Sequence, residues 1–445
     1  MGDMISMSNM KTKKFGEIPR MGVSNDFSFV QPQVYQQHRY LSAHIVRRPW
    51  EGRRVFIVGG GESLKGFDFS QLKGEIVIAI NRAAEAVPGA AILMFLDEQF
   101  FGWAAGGKLG ENMQQIFDSF AGYKLTASRV GFPYPEDIYC VKYKDARHPR
   151  LDDWIQDGLY MGNLTGTVAA NLSVAMGAKQ IYLLGFDGDG GKERNPNKYQ
   201  TWFHGGYPEK ANTTIYSRYH DDMDIMAPLY REKNIEVVNL NQNSGITCFK
   251  FGSMADIKKT RRPVICSFYT QEYKDLAKRM ERSAKLFGFE TDLKQVEKVN
   301  GSWLETIYTR ANFVLEMLEK HGRDIVWLDS DAVIDRYPEL FDEFDGDFGA
   351  HVHEWTDRGK ELLGGTMYFR HTEATLELVK KWISLNGSLP KQALSQWVIP
   401  QALEGWSGKF VNLPANYTQI FDLMADAGEP IISHYQASRQ FRNRT

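Results

Sequence analysis

A chain of 445 residues, 43% hydrophobic and 24% charged, has the make-up of an ordinary globular protein and suggests two or three domains rather than one. Its formal net charge of −2 gives no global attraction to nucleic acid or an anionic membrane, so such a partner would need a local patch. Cys140, Cys248 and Cys266 lie far apart with no metal-type spacing, which fits buried thiols in a reducing cytoplasm rather than a disulfide framework.

Residues 1–50 show no sustained period. "FVQPQVYQQHRYLSAHIVRRPW" reads as an extended arm that packs on a partner or on the body of the protein. The start lacks the apolar core of a signal peptide, and no apolar run approaches the ~18 residues that span a bilayer. No membrane association is expected.

From Arg53 the pattern changes. "RRVFIV", "EIVIAI" (75–80), "AILMFL" (91–96), "YKLTAS" (123–128), "QIYLLGF" (180–186) and "IEVVNL" (235–240) are short, almost continuously apolar strands. Helical stretches lie between several of them, notably 165–178 and 217–234. That alternation predicts an α/β domain over 51–257, with a parallel sheet covered on both faces.

A second alternation starts near "KKTRRP" (258–263). "VICSFY" reads as a strand and "YKDLAKRMERSAKLFG" as an amphipathic helix. In "WLETIYTRANFVLEMLEKHG", Leu304, Ile307, Tyr308, Ala311, Leu315 and Leu318 form one helical stripe ended by Gly322. The strand "IVWL" (325–328) follows. The chain thus reads as two α/β domains in series, the second over 258–445.

Polar residues collect where the strands end. Gly59, Gly60 and Gly61 follow the first strand, with Ser63 just beyond. Glycines there let the backbone approach a ligand, and N–H groups at a strand-to-helix turn suit phosphate. Asn81, Asp97 and Asp187 follow three further strands, and Thr165 opens a helix as either an N-cap or a nucleotide contact.

"FIVGGGESL", "AINRA", "TGTVAANLSVAMGAKQIYLLGFD" and "IEVVNLNQNSGI" resemble the Rossmann-like domain of Maf-type flagellin glycosyltransferases, some bacterial sialyltransferases and MptE-like pterin pyrophosphokinases, with related domains in bacteriophage proteins. The resemblance covers about residues 50–255. It implies a nucleotide or nucleotide-sugar on the Gly59–Ser63 turn, with Asn81 near the base or sugar. Where this chain has Glu62, such sequences usually carry proline. The sialyltransferase-like members use a histidine base, for which His204 and His220 are the candidates.

Four Asp-x-Asp pairs occur: Asp187/Asp189, Asp222/Asp224, Asp329/Asp331 and Asp345/Asp347. Asp222 and Asp224 fall in a helix about 200° apart and cannot share an ion. Asp345 and Asp347 sit in an acidic turn and are expected to be solvated. The other two pairs follow apolar strands, where residues two apart can point the same way. Two hard oxygen ligands there suit Mg²⁺ or Mn²⁺ with open positions for diphosphate oxygens.

"VICSFYT", "NGSWLETIYTRANFVLEMLEKH", "DIVWLDSDAVIDRYPELFDEFDGDFGAH", "LLGGTMYFRHTEATLELVKKWI" and "ISHYQASRQFR", in that order, resemble a GT-A nucleotide-diphospho-sugar transferase over about 263–445. The resemblance implies a mixed sheet and a nucleoside-diphosphate-sugar donor. It implies Asp329 and Asp331 at metal and donor, and His434 as a third metal ligand. Ser267, Tyr269 and Trp303 would line the donor site, Arg310 would help with base or phosphate, and Gly364, Gly365 and Thr366 would lie under sugar and acceptor. Where related sequences commonly carry Asp-Gln, this chain has Ser395 and Gln396, so Glu354, Asp357 or Glu361 could supply a base if the reaction inverts. Arg439, Arg442 and Arg444 could close over the diphosphate or form a plain basic tail.

The combined expectation is a cytoplasmic enzyme of a bacterium or phage-infected cell. Its second domain transfers a sugar with Mn²⁺ or Mg²⁺, and its first binds another nucleotide or the acceptor. A protein or glycan acceptor is favoured over a DNA base. The rival expectations are a first domain that is itself the main transferase, and a non-catalytic virion or scaffold protein.

Overall fold

The strand β1, Arg54–Val58, is buried at every position after its first. Such a strand needs cover on both faces, and that requirement organises the first half of the molecule. The computed structural model describes residues 38–128, 134–144, 148–162, 164–188, 202–208, 216–357, 359–388 and 395–436. The side chains of 216–219, 303–304, 387–388 and 395–396 are outside that set. All of these residues fall within one compact unit, Gln37–Thr445.

In chain order after β1 come β2 (Ile76–Ile80), β3 (Ile92–Met94), α1 (Glu98–Ala105), α2 (Glu111–Ser119), β4 (Tyr123–Ala127) and β5 (Ile138–Val141). A small parallel pair follows, β6 (Tyr143–Lys144) with β7 (Leu159–Tyr160). Then come α3 (Thr165–Ala175), β8 (Gln180–Leu184), α4 (Tyr216–Glu232), β9 (Glu236–Asn239) and β10 (Lys250–Phe251). Among the described residues these strands form an eight-stranded sheet in the order β10-β9-β8-β1-β2-β3-β4-β5. Every pairing in it is parallel. The chain runs outward from β1 to β5, then returns to the other side of β1 as β8. The switch point, where open α/β sheets bind ligands, therefore lies between the ends of β1 and β8.

The second half holds β11 (Val264–Tyr269), α5 (Lys274–Leu286), β12 (Thr291–Gln295), α6 (Trp303–Tyr308), α7 (Arg310–His321), β13 (Ile325–Leu328), β14 (Ala332–Ile334), β15 (Phe348–Trp355) and β16 (Gly359–Phe369). It ends with α8 (Glu373–Ser388), α9 (Ser395–Leu403), β17 (Phe410–Asn412), β18 (Gln419–Ile420) and β19 (Ile432–His434). Its main sheet has the order β12-β11-β13-β16-β15-β17 and is mixed, because β16 runs antiparallel to both its neighbours. A smaller sheet, β14-β19-β18, stands beside it. The protein is thus α/β, a parallel sheet followed by a separate mixed one.

The helical stripe expected over 303–322 is broken at Thr309, between α6 and α7. Thr309 Oγ1 donates to Thr306 O, and Thr306 Oγ1 donates to Ser302 O while accepting from Val299 N. Hydroxyls that bond the local backbone compete with the helical ladder. Gly322 ends α7 in the left-handed conformation, as the sequence suggests.

The two sheets are not separated by a free linker. One buried cluster contains Ile57, Ile78 and Leu183 from the first half together with Ile265, Phe287, Val326 and Tyr368 from the second. Trp50 is fully buried and donates its indole N–H to Leu286 O at 2.7 Å. The Arg53 guanidinium lies 3.5 Å from the centre of the Tyr337 ring and pairs with Glu339 and Asp342. Arg54 reaches Lys258 O and Thr260 Oγ1. Among the described residues, no helix is long and apolar enough to cross a membrane.

Candidate functional site

Strand β13 is buried at all four positions and ends at Leu328, so the chain emerges from the core directly into Asp329-Ser330-Asp331. Ala332 N then bonds Asp329 O at 2.9 Å, closing a tight turn. β14 begins at once and pairs antiparallel with β19, placing Ala332 opposite His434. Residues more than a hundred positions apart are thereby brought together. Asp329, Asp331 and His434 each offer a ligand atom, and these atoms lie within 4.8 Å of one another.

Neighbouring groups set their chemistry. Arg310 Nη2 and Trp327 Nε1 both donate to Asp329 Oδ1, at 3.1 and 3.0 Å. Arg310 also donates to Gly364 O and lies 4.7 Å from the Trp327 ring centre. Burial works against its charge, while Asp329 and Asp331 support it. His434 is 4% exposed, and burial pushes its pKa below the ordinary imidazole value although both carboxylates pull the other way. It is therefore a neutral imidazole, the form that binds metals. One ring nitrogen, Nε2, lies 2.8 Å from Thr366 Oγ1, which orients the ring as outer partners of metal-binding histidines do. At Gly365 a Cβ would stand 2.8 Å from the His434 ring, so only glycine lets the strand pass so close.

Two carboxylates, one arginine and a neutral histidine carry a net formal charge of −1. The donor set is two hard oxygens and one imidazole nitrogen, and it leaves open positions for other oxygens. That set fits Mg²⁺ or Mn²⁺, held by Asp329, Asp331 and His434.

Ser267 is fully buried, and its hydroxyl donates to Leu328 O at 2.6 Å. It ties β11 to β13 under the aspartates and lines no open surface. Tyr269, two residues on, is only partly buried. The side chain of Trp303 and residues Arg439, Arg442 and Arg444 lie outside the described residues, as do the side chains of Ser395 and Gln396. Glu354 and Asp357 are exposed. Strand alternation points Glu354 away from the face that carries Thr366 and His434. Glu361 does stand on that face and accepts from Trp355 Nε1 at 2.6 Å.

The first-half residues gather at the switch point. Gly59 N donates to Leu184 O and Gly61 N to Gly185 O. Ser63 donates both its N–H and its hydroxyl to the Asp187 carboxylate, which also accepts from Asn241 Nδ2 at 2.8 Å. These three amides are thus engaged inside the protein, and an anion there would compete with Asp187. A Cβ on Gly61 would stand 2.6 Å from the Asp187 carboxylate, which explains that glycine.

Two polar side-chain atoms of this half, Asn81 Oδ1 and His204 Nε2, are buried without a partner among the described residues. Asn81, directly after β2, has a positive φ of 52°. His204 Nδ1 accepts from Gly206 N at 3.1 Å, so the proton sits on Nε2, which faces Gly60. Burial first, and then Arg82, pushes the His204 pKa down to about 3. His204 is therefore a fixed neutral donor. The expectation of a histidine base suits it poorly, because its remaining lone pair is taken by Gly206. His220 Nε2 lies 2.6 Å from Gly188 O and is held as a donor too.

Asp97 stands at the N-cap position of α1 without a side-chain cap. Thr165 is the first residue of α3, and Leu164 takes the cap position, so Thr165 is not a cap. Asp222 and Asp224 lie in α4, as the helix argument requires. Asp345 is exposed and pairs with Lys409, but Asp347 is not freely solvated. It accepts from Thr372 Oγ1 and Lys409 N, both at 2.8 Å. Asp189 lies outside the described residues.

One constellation escaped the sequence reading. On β15, His351 Nδ1 lies 2.8 Å from Leu413 O and His351 Nε2 lies 3.3 Å from His353 Nδ1. The signal that could have shown it is the spacing His-x-His-x-Trp in "GAHVHEW", which puts three rings on one strand face.

No protein-family model matches the chain, and no curated protein matches it. Among solved structures, the chain is similar to a glycosyltransferase involved in the glycosylation of the major capsid of PBCV-1, with 16% identity and a TM-score of 0.34 over 41% of this chain and 99% of that one. It is similar to the glycosyltransferase GlyE of Streptococcus pneumoniae TIGR4, with 14% identity and a TM-score of 0.31 over 42% of this chain and 57% of that one. Mouse xyloside xylosyltransferase 1 in its apo form gives 11% identity and a TM-score of 0.28 over 40% and 98%. These likenesses are partial, over 40–42% of this chain.

Proposed function

We propose that the protein is a glycosyltransferase that uses a nucleoside-diphosphate-sugar and a divalent metal, Mn²⁺ or Mg²⁺. The observation that carries this reading is the convergence of Asp329, Asp331 and His434 at the end of β13. A cluster of net charge −1 with a buried neutral imidazole is costly to assemble unless a cation completes it. When bound, the ion neutralises diphosphate oxygens and the charge of the departing nucleoside diphosphate. The chain's own residues hold the rest. Arg310 fixes Asp329 and Gly364, Thr366 orients His434, and Ser267 ties the two strands beneath.

The sugar moves to an acceptor hydroxyl. A bond forms between acceptor oxygen and anomeric carbon, and the bond from that carbon to the phosphate oxygen breaks, its electron pair leaving with the nucleoside diphosphate. A net charge of −2 favours a protein or glycan acceptor over a DNA base. A cytoplasmic enzyme of a bacterium or an infected cell is the setting this reading implies. The first half, residues 51–257, binds a second nucleotide or the acceptor at the switch point. Asn81 Oδ1 and His204 Nε2–H favour this, as an acceptor and a donor buried without partners among the described residues.

The test is nucleoside-diphosphate release from UDP-, GDP- and dTDP-sugars, with CMP-sugars beside them, in Mn²⁺ and in EDTA. Release that is stimulated by Mn²⁺ and lost in Asp331→Ala is the expected result. Equal release in EDTA, or in Asp331→Ala, would refute metal-dependent transfer at this site.

A further inference from the structure

The β15/β16 hairpin continues past the glycine-rich segment that touches His434. Its register shifts between Ala350, which pairs with Met367, and His351, which pairs with Leu363. The extra residues 364–366 bulge at that point, beside Arg310, Asp329 and His434. Phe348, Ala350 and Val352 pack into the cluster on one face of the sheet, together with Leu362, Met367 and Phe369. His351, His353 and Trp355 therefore stand on the opposite face, the one that carries Thr366 and, through it, His434. His351 borders the bulge, and His353 lies about 7 Å further along the strand.

The protons in this pair can be placed. Leu413 O can only accept, so His351 Nδ1 is the donor in their 2.8 Å contact. Burial lowers the His351 pKa, with the Leu413 contact opposing and His353 adding to the fall. The ring is neutral, and its Nε2 carries a lone pair. That lone pair accepts from His353 Nδ1–H at 3.3 Å. The proton of a neutral His353 is then fixed on Nδ1, and Nε2 carries its lone pair. The His353 ring packs edge-on against Trp355, 4.1 Å between centres, on the half-buried face of the hairpin. Glu361 stands opposite His353 on β16 and is held by Trp355 Nε1. Glu354 and Lys360 pair on the other face.

We propose that His353 is the acceptor-side base of the transfer reaction and that His351 is its positioning residue. The inference rests on the proposed glycosyl transfer and adds the group that receives the acceptor proton. As the acceptor oxygen bonds the anomeric carbon and the phosphate oxygen departs with its electron pair, the hydroxyl proton passes to His353 Nε2. The relay to Leu413 O fixes the ring and puts the lone pair of its neutral form on Nε2, as the partner of a catalytic histidine does. Trp355 adds an apolar ring beside it, which suits the carbon face of a sugar or of a glycan acceptor. Glu354, one of the three carboxylates the sequence suggests, points the wrong way for this role.

The experiment uses the full-length protein with UDP-, GDP- and dTDP-hexoses and Mn²⁺, and with water as the acceptor. Nucleoside-diphosphate release is followed against pH, and donor binding is followed separately by thermal stabilisation. His353→Gln should lower release about a hundredfold or more while donor-induced stabilisation stays at the wild-type value. The wild-type rate should fall on acidification, and His353→Gln should remove that limb. Added imidazole should restore release to His353→Gly. His351→Leu should cost a smaller factor and move the acid limb, because it frees the proton on His353. Wild-type release by His353→Gln, or an unchanged acid limb, would overturn the assignment and leave the donor site standing. No stabilisation of the wild-type protein by any of these donors would overturn the underlying transfer reading instead.

Discussion

Asp187 and Asp329 each follow a buried apolar strand, β8 and β13, yet their surroundings differ. Asp187 is surrounded by donors. It takes the Ser63 amide and hydroxyl and the Asn241 side chain, and so locks the glycine turn shut. Asp329 faces another carboxylate and a neutral imidazole, and both its donors among the described residues fall on one oxygen. The same local pattern, an acid after a strand, gives a structural clasp in one half and the proposed metal-ligand set in the other. A strand-end acid is a clasp when the protein supplies its donors. Asp329, with Asp331 and His434 beside it, is the one proposed as a metal ligand.

The comparison is broken most directly at Asp331. Asp331→Ala should reduce Mn²⁺-dependent donor turnover by about a thousandfold or more, since several kcal/mol of charge stabilisation are lost. EDTA should match that loss in a release assay. The next effect is at Gly365, where an added methyl group meets the His434 ring. Gly365→Ala should weaken Mn²⁺ binding by about 10–100-fold, read by calorimetry. Asp187→Ala, by contrast, should cost about 1–3 kcal/mol of stability in urea unfolding, because its donors lose their acceptor. Donor release by the second half should survive it. If Asp187→Ala and Asp331→Ala abolish release equally, the distinction between clasp and ligand site fails.

A further test within the first half is the pH dependence from His204. Its folded-state pKa of about 3 lies below the ordinary imidazole value of 6.5. Between those values the unfolded chain binds a proton that the folded chain refuses. Stability should therefore fall as pH drops from 6.5 towards 3, by about 1.4 kcal/mol per pH unit for one proton. His204→Gln should flatten that slope in denaturation measured at several pH values. An unchanged slope would mean that His204 is not held neutral.

Much of the frame was readable because buried parallel strands are continuous apolar runs. β1, β2, β3, β4, β8, β9, β11 and β13 all announce themselves in this way. β12, "TDLKQ", does not, because it is a polar edge strand, and β14, β18 and β19 are too short to show a period. Asp329 and Asp331 stood out by following "IVWL". His434 reached them only through strand pairing over a hundred residues, which local pattern cannot show. The Ser63–Asp187 clasp spans 124 residues and was hidden for the same reason. His351 and His353 were hidden differently. Their alternation has meaning only once the segment is known to be a strand, and two histidines in a region of acids draw less notice than the acids do.

The shared core between the two sheets has a practical consequence. Trp50, Ile57, Phe287 and Val326 belong to one buried cluster, and the Arg53–Tyr337 stack fastens its edge. Melting is expected as one cooperative event, so a ligand for either half should raise the same single transition. Fragments cut near residue 258 should each bare a large greasy face and aggregate on expression. Co-expression of the two fragments should restore solubility, because each would supply the other's missing wall.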